Sequence, residues 1–424
     1  MRQLMKVVRL AVRYLLPVFL LGCASTNTVE YPHYRERADS LTDGPLTIKV
    51  SALSPLEGAE VYKHSLAVLG MQPVWLEVEN RDTEPYWFLP QGIDPDYFPY
   101  WEAAEAFNLA DGGIIDPARR ERFRQLSLPP IIPPQTTTSG FVLTNLDEGF
   151  KFIHADFLKK GQVRHISDVA EVPGLRADFM ERRRIKQELA ASVKITDFNE
   201  QQVFLKALSE LPCCATNKSG NKPADPLNLV IVGGGNDALI ALARRGWHPT
   251  EITWSGSVLQ MMSSALTGDS YLHAPISPMY MFGRSQDLAL QKARDNIHQR
   301  NHLRLWLAPM RFRGKSVWVG QISRDIGTRL TIHSPYLTTH KIDPDVDEAR
   351  MALTEDLVYS RHLAIVGLVP GVGAASPQSP RQNLTRDPFY TDGYRAVLIF
   401  DERNVSIDKI HFLHWQEETT HGDD

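Results

Sequence analysis

Apolar and polar residues alternate in several short runs along the first part of the chain. Leu46 to Val50, Pro73 to Asn80 and Gly140 to Asn145 each place apolar side chains at every second position, with turn residues between the runs. A period of two predicts half-buried strands of a β-sandwich. Leu146-Asp147-Glu148-Gly149 predicts a hairpin turn into a further strand from Phe150 to Phe157. Between Trp101 and Leu128 the rhythm changes. Glu102-Ala103-Ala104-Glu105-Ala106 and Pro117 to Arg122 are helix-favouring runs that predict a cap on one end of the sandwich.

Beyond about Val172 the pattern predicts a connector with one helix, N-capped by Asp197 and buried through Val203, Phe204, Ala207 and Leu208. Leu227 to Val232 is a wholly apolar strand, followed by Gly233-Gly234-Gly235-Asn236 and a helix stopped by Gly246. Gly233, Gly235 and Ala238 fit a dinucleotide-binding spacing. No second unit with a ribose-binding acid follows, so a tight strand-to-helix turn is the expected reading.

From His302 to His333 the alternation predicts a three-stranded meander turning at Arg313-Gly314-Lys315. His302, Arg304 and Trp306 share one face; Val317, Val319, Gln321, Ser323 and Asp325 share another; Arg329, Thr331 and His333 share a third. Asp343, followed by Pro344, is the expected N-cap of a helix whose buried stripe is Val346, Ala349, Leu353 and Leu357. A last strand is expected from Tyr394 to Phe400, and a frayed charged tail after it.

Together these elements predict an α+β fold: a β-sandwich-like domain, then a mixed domain built around an antiparallel meander. A chain of 424 residues exceeds what one core usually organises, and the division read here is 1–22 leader, 23–43 flexible spacer, 44–171 sandwich, 172–225 connector, 226–400 second domain and 401–424 tail.

The formal charge of -4 becomes more acidic still without Arg2, Lys6, Arg9 and Arg13. No basic patch points to nucleic acid, and the balance disfavours broad adhesion to anionic lipid. Cys213 and Cys214 are adjacent, so they are either two thiols or one vicinal pair, and no disulfide framework is available.

The first residues give an address. A basic start and an apolar stretch from Tyr14 to Leu21, too short to span a bilayer, end at Leu20-Leu21-Gly22-Cys23. This resembles the lipobox of bacterial lipoproteins, which implies cleavage before Cys23 and acylation of its thiol. The implied partner is a membrane, held through up to three acyl chains. Ala24, rather than an aspartate, follows the cysteine, and the resemblance then implies the outer membrane, facing the periplasm.

The second domain resembles the LssY C-terminal-like family. The resemblance is carried by Pro226 to Gly233, Gly246-Trp247, Ala274 to Arg284, Gln286 to Ala289, Asn301 to Trp306, Ser323 to Gly327 and Thr339 to Asp347. It implies work in the envelope, with a phospholipid or an envelope protein as partner, and no established reaction. Asn301 and Lys341 stand where the family pattern pairs histidines.

Two readings follow. One is a lipid-anchored protein with a binding or structural role. The other is an envelope hydrolase acting on phosphoesters, with or without a metal, with His302, Arg304, Asp325 and His340 as the catalytic candidates. A divalent metal is the cofactor it would take, with His333, His340, Asp343 and Asp347 as metal-ligand candidates. No spacing among them matches a zinc or calcium loop.

Overall fold

In the computed structural model, the run from Leu46 to Ala52 is a strand that buries Leu46, Ile48 and Val50 and exposes Lys49. The structure describes residues 32–147, 150–173, 194–250, 276–293, 300–330 and 338–413, with the backbone alone at 235–236, 293, 327–330 and 338–340.

That strand belongs to a four-stranded antiparallel sheet in the order Asp39–Asp43, Leu46–Ala52, Met71–Asn80, Thr136–Asn145. A second sheet runs Ile131–Ile132, Tyr86–Leu89, Phe150–Lys159, Gln162–Glu171. Their facing sides interleave Ile48, Val50, Val74 and Leu76 with Phe88, Ile153, Phe157 and Ile166 in one core. Each fully buried aliphatic or aromatic side chain there stabilises the fold by roughly 1.5–3 kcal/mol. The outer face of the first sheet is covered by helices Tyr100–Ala110 and Pro117–Leu126, through Trp75, Phe107, Phe123 and Phe141. Asp116 starts the second helix by accepting from the amides of Ala118 and Arg119, with Pro117 in its first turn.

Two expectations are corrected here. Order begins before Gly44: Tyr34 is buried, and the polar segment Asp39–Asp43 is an edge strand, which pairs through its backbone whatever its side chains. The segment 145–150 is not a hairpin, because Thr136–Asn145 pairs in the first sheet and Phe150–Lys159 in the second. The chain passes from one layer to the other there. Glu148 and Gly149 lie outside the described residues.

The rest of the chain is built on a ten-stranded sheet. Its main path is His248–Pro249, Leu288–Ala293, Arg300–Phe312, Lys315–Leu330, Leu229–Val232, Tyr394–Phe400, Leu363–Pro370, His411–Phe412. Leu229–Val232 is wholly buried, antiparallel to one neighbour and parallel to the other, which accounts for its unbroken apolar run. One face of this sheet packs on helix Val346–Val358 and on the segment from Gly235 to Arg244. The other face packs on helix Gln201–Ser209. The fold is α+β.

Phe150 and Phe152 of the sandwich sit in the same core as Leu242, Trp247 and Leu290, so the outer face of the second sheet is covered by the later part of the chain. Residues His33–Asp424 form one contact unit.

Five local expectations also change. Asp197 is no N-cap: it lies in strand Thr196–Phe198 beside Met310–Phe312 and accepts from the Gly314 amide, while Glu200 precedes the helix. Val203 is 56% exposed, so the buried stripe is Phe204, Leu205 and Leu208. Asp345, not Asp343, caps helix Val346–Val358. The third strand of the meander is Thr338–Ile342, because Lys315–Leu330 runs on past Asp325 with a bulge. The expected loose tail returns to the sheet edge, where His411–Phe412 pairs with Ile365–Val366.

Candidate functional site

Strands Arg300–Phe312 and Lys315–Leu330 are joined at Arg313-Gly314, both with positive φ, as the tight hairpin requires. Their register sets His302 opposite Ser323 and Arg304 opposite Gln321. Arg300, His302, Arg304, Gln321, Ser323 and Asp325 therefore share one face, continuous with the apolar Trp306, Val317 and Val319.

Several of these polar groups are paired within the cluster. Arg300 donates through Nη1 to Gln291 at 2.8 Å and through Nε to Asp325 at 3.4 Å. His302 Nε2 is 3.5 Å from the same Asp325 oxygen. Arg304 donates to Gln321 at 2.7 Å and to the Ser277 carbonyl at 3.2 Å. Asp225 accepts from Asn383 at 2.8 Å.

Burial dominates the electrostatics. It pushes the Asp325 carboxyl up to about 7, against the pull of Arg300 and Arg304, and pushes Asp225 up as well. The same desolvation lowers both arginines. A carboxyl poised near neutrality beside an imidazole can exchange protons. Yet Asp325 is 1% exposed and His302 and Arg304 are each 5% exposed.

The candidates thus separate. His302, Arg304 and Asp325 come together. His340 lies on strand Thr338–Ile342, where only the backbone is described, and Cys23 and His333 lie outside the described residues. Asp343 accepts from the Asp345 amide, in the turn that opens the helix. Asp347 accepts from the Thr391 hydroxyl at 2.8 Å and the Asp392 amide at 2.6 Å, tying the helix start to that loop. Asp343 and Asp347 thus have local structural work, and among the described residues no three His, Cys, Asp or Glu gather as a metal-ligand group.

The glycine turn is likewise filled from within. The Asp237 carboxylate accepts from the amides of Gly234 and Ala238 at 2.5 Å and pairs with Lys315 at 3.2 Å. It occupies the helix start where a phosphate would otherwise sit. Cys213 and Cys214 form a vicinal disulfide, and Arg381 donates to both sulfurs at 3.1 and 3.0 Å.

A second polar region joins the sandwich to the later sheet. Arg244 donates to Asp156 at 2.6 Å and lies 3.0 Å from His362 Nε2. His154 bonds to Asp156 at 2.9 Å and to Ser167 at 2.7 Å, and stacks on His165. Asp356 gathers Arg245, Trp247 and Lys292. Cavities of about 430 and 470 Å³ open along this junction, a third of about 350 Å³ lies within the later part of the chain, and Arg245 lines all three.

The residue reading missed Arg300, although it continues the alternation of His302 and Arg304 by one step. It also missed Gln291, Asp225 and the junction, whose partners are far apart in sequence.

No curated protein matches the chain. Residues 205–394, which hold the Arg300–Asp325 cluster and the junction side chains Arg244, Arg245, Asp356 and His362, match the family model described as LssY C-terminus.

Proposed function

We propose that the protein is a lipid-anchored component of the bacterial envelope that acts by binding, through the LssY C-terminal-like domain and the sandwich joined to it. The observation that carries this reading is the closure of the candidate chemical cluster. Arg300 bonds to Gln291 and Asp325, and Arg304 to Gln321, with these side chains at 5% exposure or less, so their chemistry serves the sheet. The open, charged surface lies instead at the junction around Arg244 and Arg245. Anchoring through Cys23 and Ala24-directed outer-membrane delivery, facing the periplasm, belong to the same proposal.

A hydrolase reading has one observation in its favour, the Asp325 carboxyl near neutrality 3.5 Å from His302. It requires substrate to reach side chains closed off from solvent.

Elemental analysis of the purified protein, with mass spectrometry of its N-terminal peptide, tests the proposal. Binding through an anchor predicts an acylated Cys23 and no stoichiometric metal. Metal lost in His340→Ala would favour the hydrolase, and an unmodified thiol after an intact leader would remove the anchor.

A further inference from the structure

We propose that the cavity lined by Arg244, Arg245 and Arg361 is a binding site for a phosphate group. The inference rests on reading the chain as a binding protein and does not need the anchor.

The cavity, of about 430 Å³, brings together Gln91 from the sandwich with Arg244, Arg245, Tyr359, Arg361 and Asn404 from the later sheet and its loops. Three arginines line it, and no Asp or Glu does. Its size is within the range that holds a phosphate and a small organic group.

Each arginine is held by a contact that fixes its position. Arg244 is clamped between Asp156 and His362. Arg245 donates its Nε to Asp356 at 2.8 Å. Arg361 donates its Nε to the Val405 carbonyl at 3.2 Å, and its own carbonyl accepts from the Val405 amide at 2.7 Å. Among the described residues, the terminal nitrogens of Arg245 and Arg361 have no protein partner. Two anchored forks with unused donors on one cavity match an oxyanion with several acceptor oxygens.

The charge balance points the same way. Asp156 and Asp356 each answer one arginine, and Arg361 has no carboxylate partner among the described residues. A positive cavity on a chain of net charge -4 is a local feature. The backbone at Arg361 bears on how the site can be tested. Arg361 has φ 66°, a left-handed conformation in which glycine is the cheaper residue. An arginine at that position carries a conformational cost of about 1 kcal/mol relative to glycine, so Arg361→Gly fits the backbone as it stands.

The phosphate can be carried by a soluble monoester or by a lipid headgroup. Calorimetric titration of the full chain in detergent, with inorganic phosphate, glycerol 3-phosphate and short-chain phosphatidate in turn, tests the site and separates the two sources. The expected result is saturable binding of at least one probe, weakened about tenfold or more in Arg361→Gly, which suits the left-handed backbone and so keeps its melting temperature. Arg361→Lys, which keeps charge and loses the fork, is expected to fall between them. Preference for phosphatidate assigns a lipid headgroup; preference for glycerol 3-phosphate assigns a soluble ester. Binding by Arg361→Gly equal to the native chain, or no binding of any probe at about 10 mM, a limit of only a few kcal/mol, overturns the proposal. Release of phosphate from the ester would sink the binding reading and leave the site standing. An unacylated Cys23 would touch neither.

Discussion

Arg244 and Asp156 meet at 2.6 Å across the junction, one on the segment that covers the later sheet and the other on the outer face of the sandwich. Both side chains are largely buried, and the same carboxylate also receives His154. Asp156→Ala would leave Arg244 without its carboxylate partner in a site that already disfavours its charge. Removing one partner of such a pair is expected to cost about 3 kcal/mol. Urea unfolding should show a lower midpoint for Asp156→Ala, and a midpoint equal to the native protein would mean that the pair does not hold the two bodies together.

His362 is pushed down to about 4 by burial, with Arg244, His154 and His165 opposing its protonation and the Asp401 carbonyl alone favouring it. A histidine whose folded value lies below its unfolded value of 6.5 contributes stability that is complete above that pH and is lost as pH falls toward 4. Going from pH 7 to pH 5, the native chain should therefore lose more stability, or gain less, than His362→Gln. An equal change in the variant would mean that His362 does not contribute to the acid response.

Asp325 works in the opposite direction. Its carboxyl holds its proton more tightly folded than unfolded, so its contribution is complete below the unfolded value of 3.8 and is lost as pH rises toward about 7. Asp325→Asn cannot ionise and should flatten this loss, changing the stability difference between pH 5 and pH 8 by on the order of a few kcal/mol. Denaturant curves at the two pH values read it directly, and parallel pH dependence in both proteins would contradict it.

Gly140 sits where the Ser127-Leu128 backbone crosses the first sheet. A Cβ there would lie 2.5 Å from Leu128 backbone atoms and 2.8 Å from Ser127. Gly140→Ala must separate the sheet from the chain that closes over it, at a cost of about 1–3 kcal/mol. Thermal unfolding should show it. An unchanged melting temperature would mean that this crossing has slack.

Much of the architecture was legible because period-two alternation survives wherever one sheet face is buried. Leu46 to Val50 and the alternation of His302 to Asp325 read directly, while Pro73 to Asn80 is the expected strand but is buried on both faces, because Trp75 packs under the helices. Elements held by backbone pairing escaped: Asp39–Asp43 is polar and His411–Phe412 is exposed, yet both pair with a neighbouring strand. Asp197 and Asp343 were misassigned as caps because an aspartate before a helix and an aspartate closing a turn look alike in one dimension. His302, Arg304 and Asp325 were found by alternation alone. Their burial, which argues against open chemistry, depends on the layers folded over them.

We propose that this cluster holds the sheet and does not turn over substrate. The most direct measurement sets phosphoester hydrolysis, with aryl phosphate mono- and diesters and divalent metals, beside unfolding for the native chain and Asp325→Asn. The account predicts no turnover above the uncatalysed rate in either protein, and a variant that differs in the pH dependence of its unfolding. Turnover by the native chain that Asp325→Asn abolishes while unfolding is unchanged would contradict it.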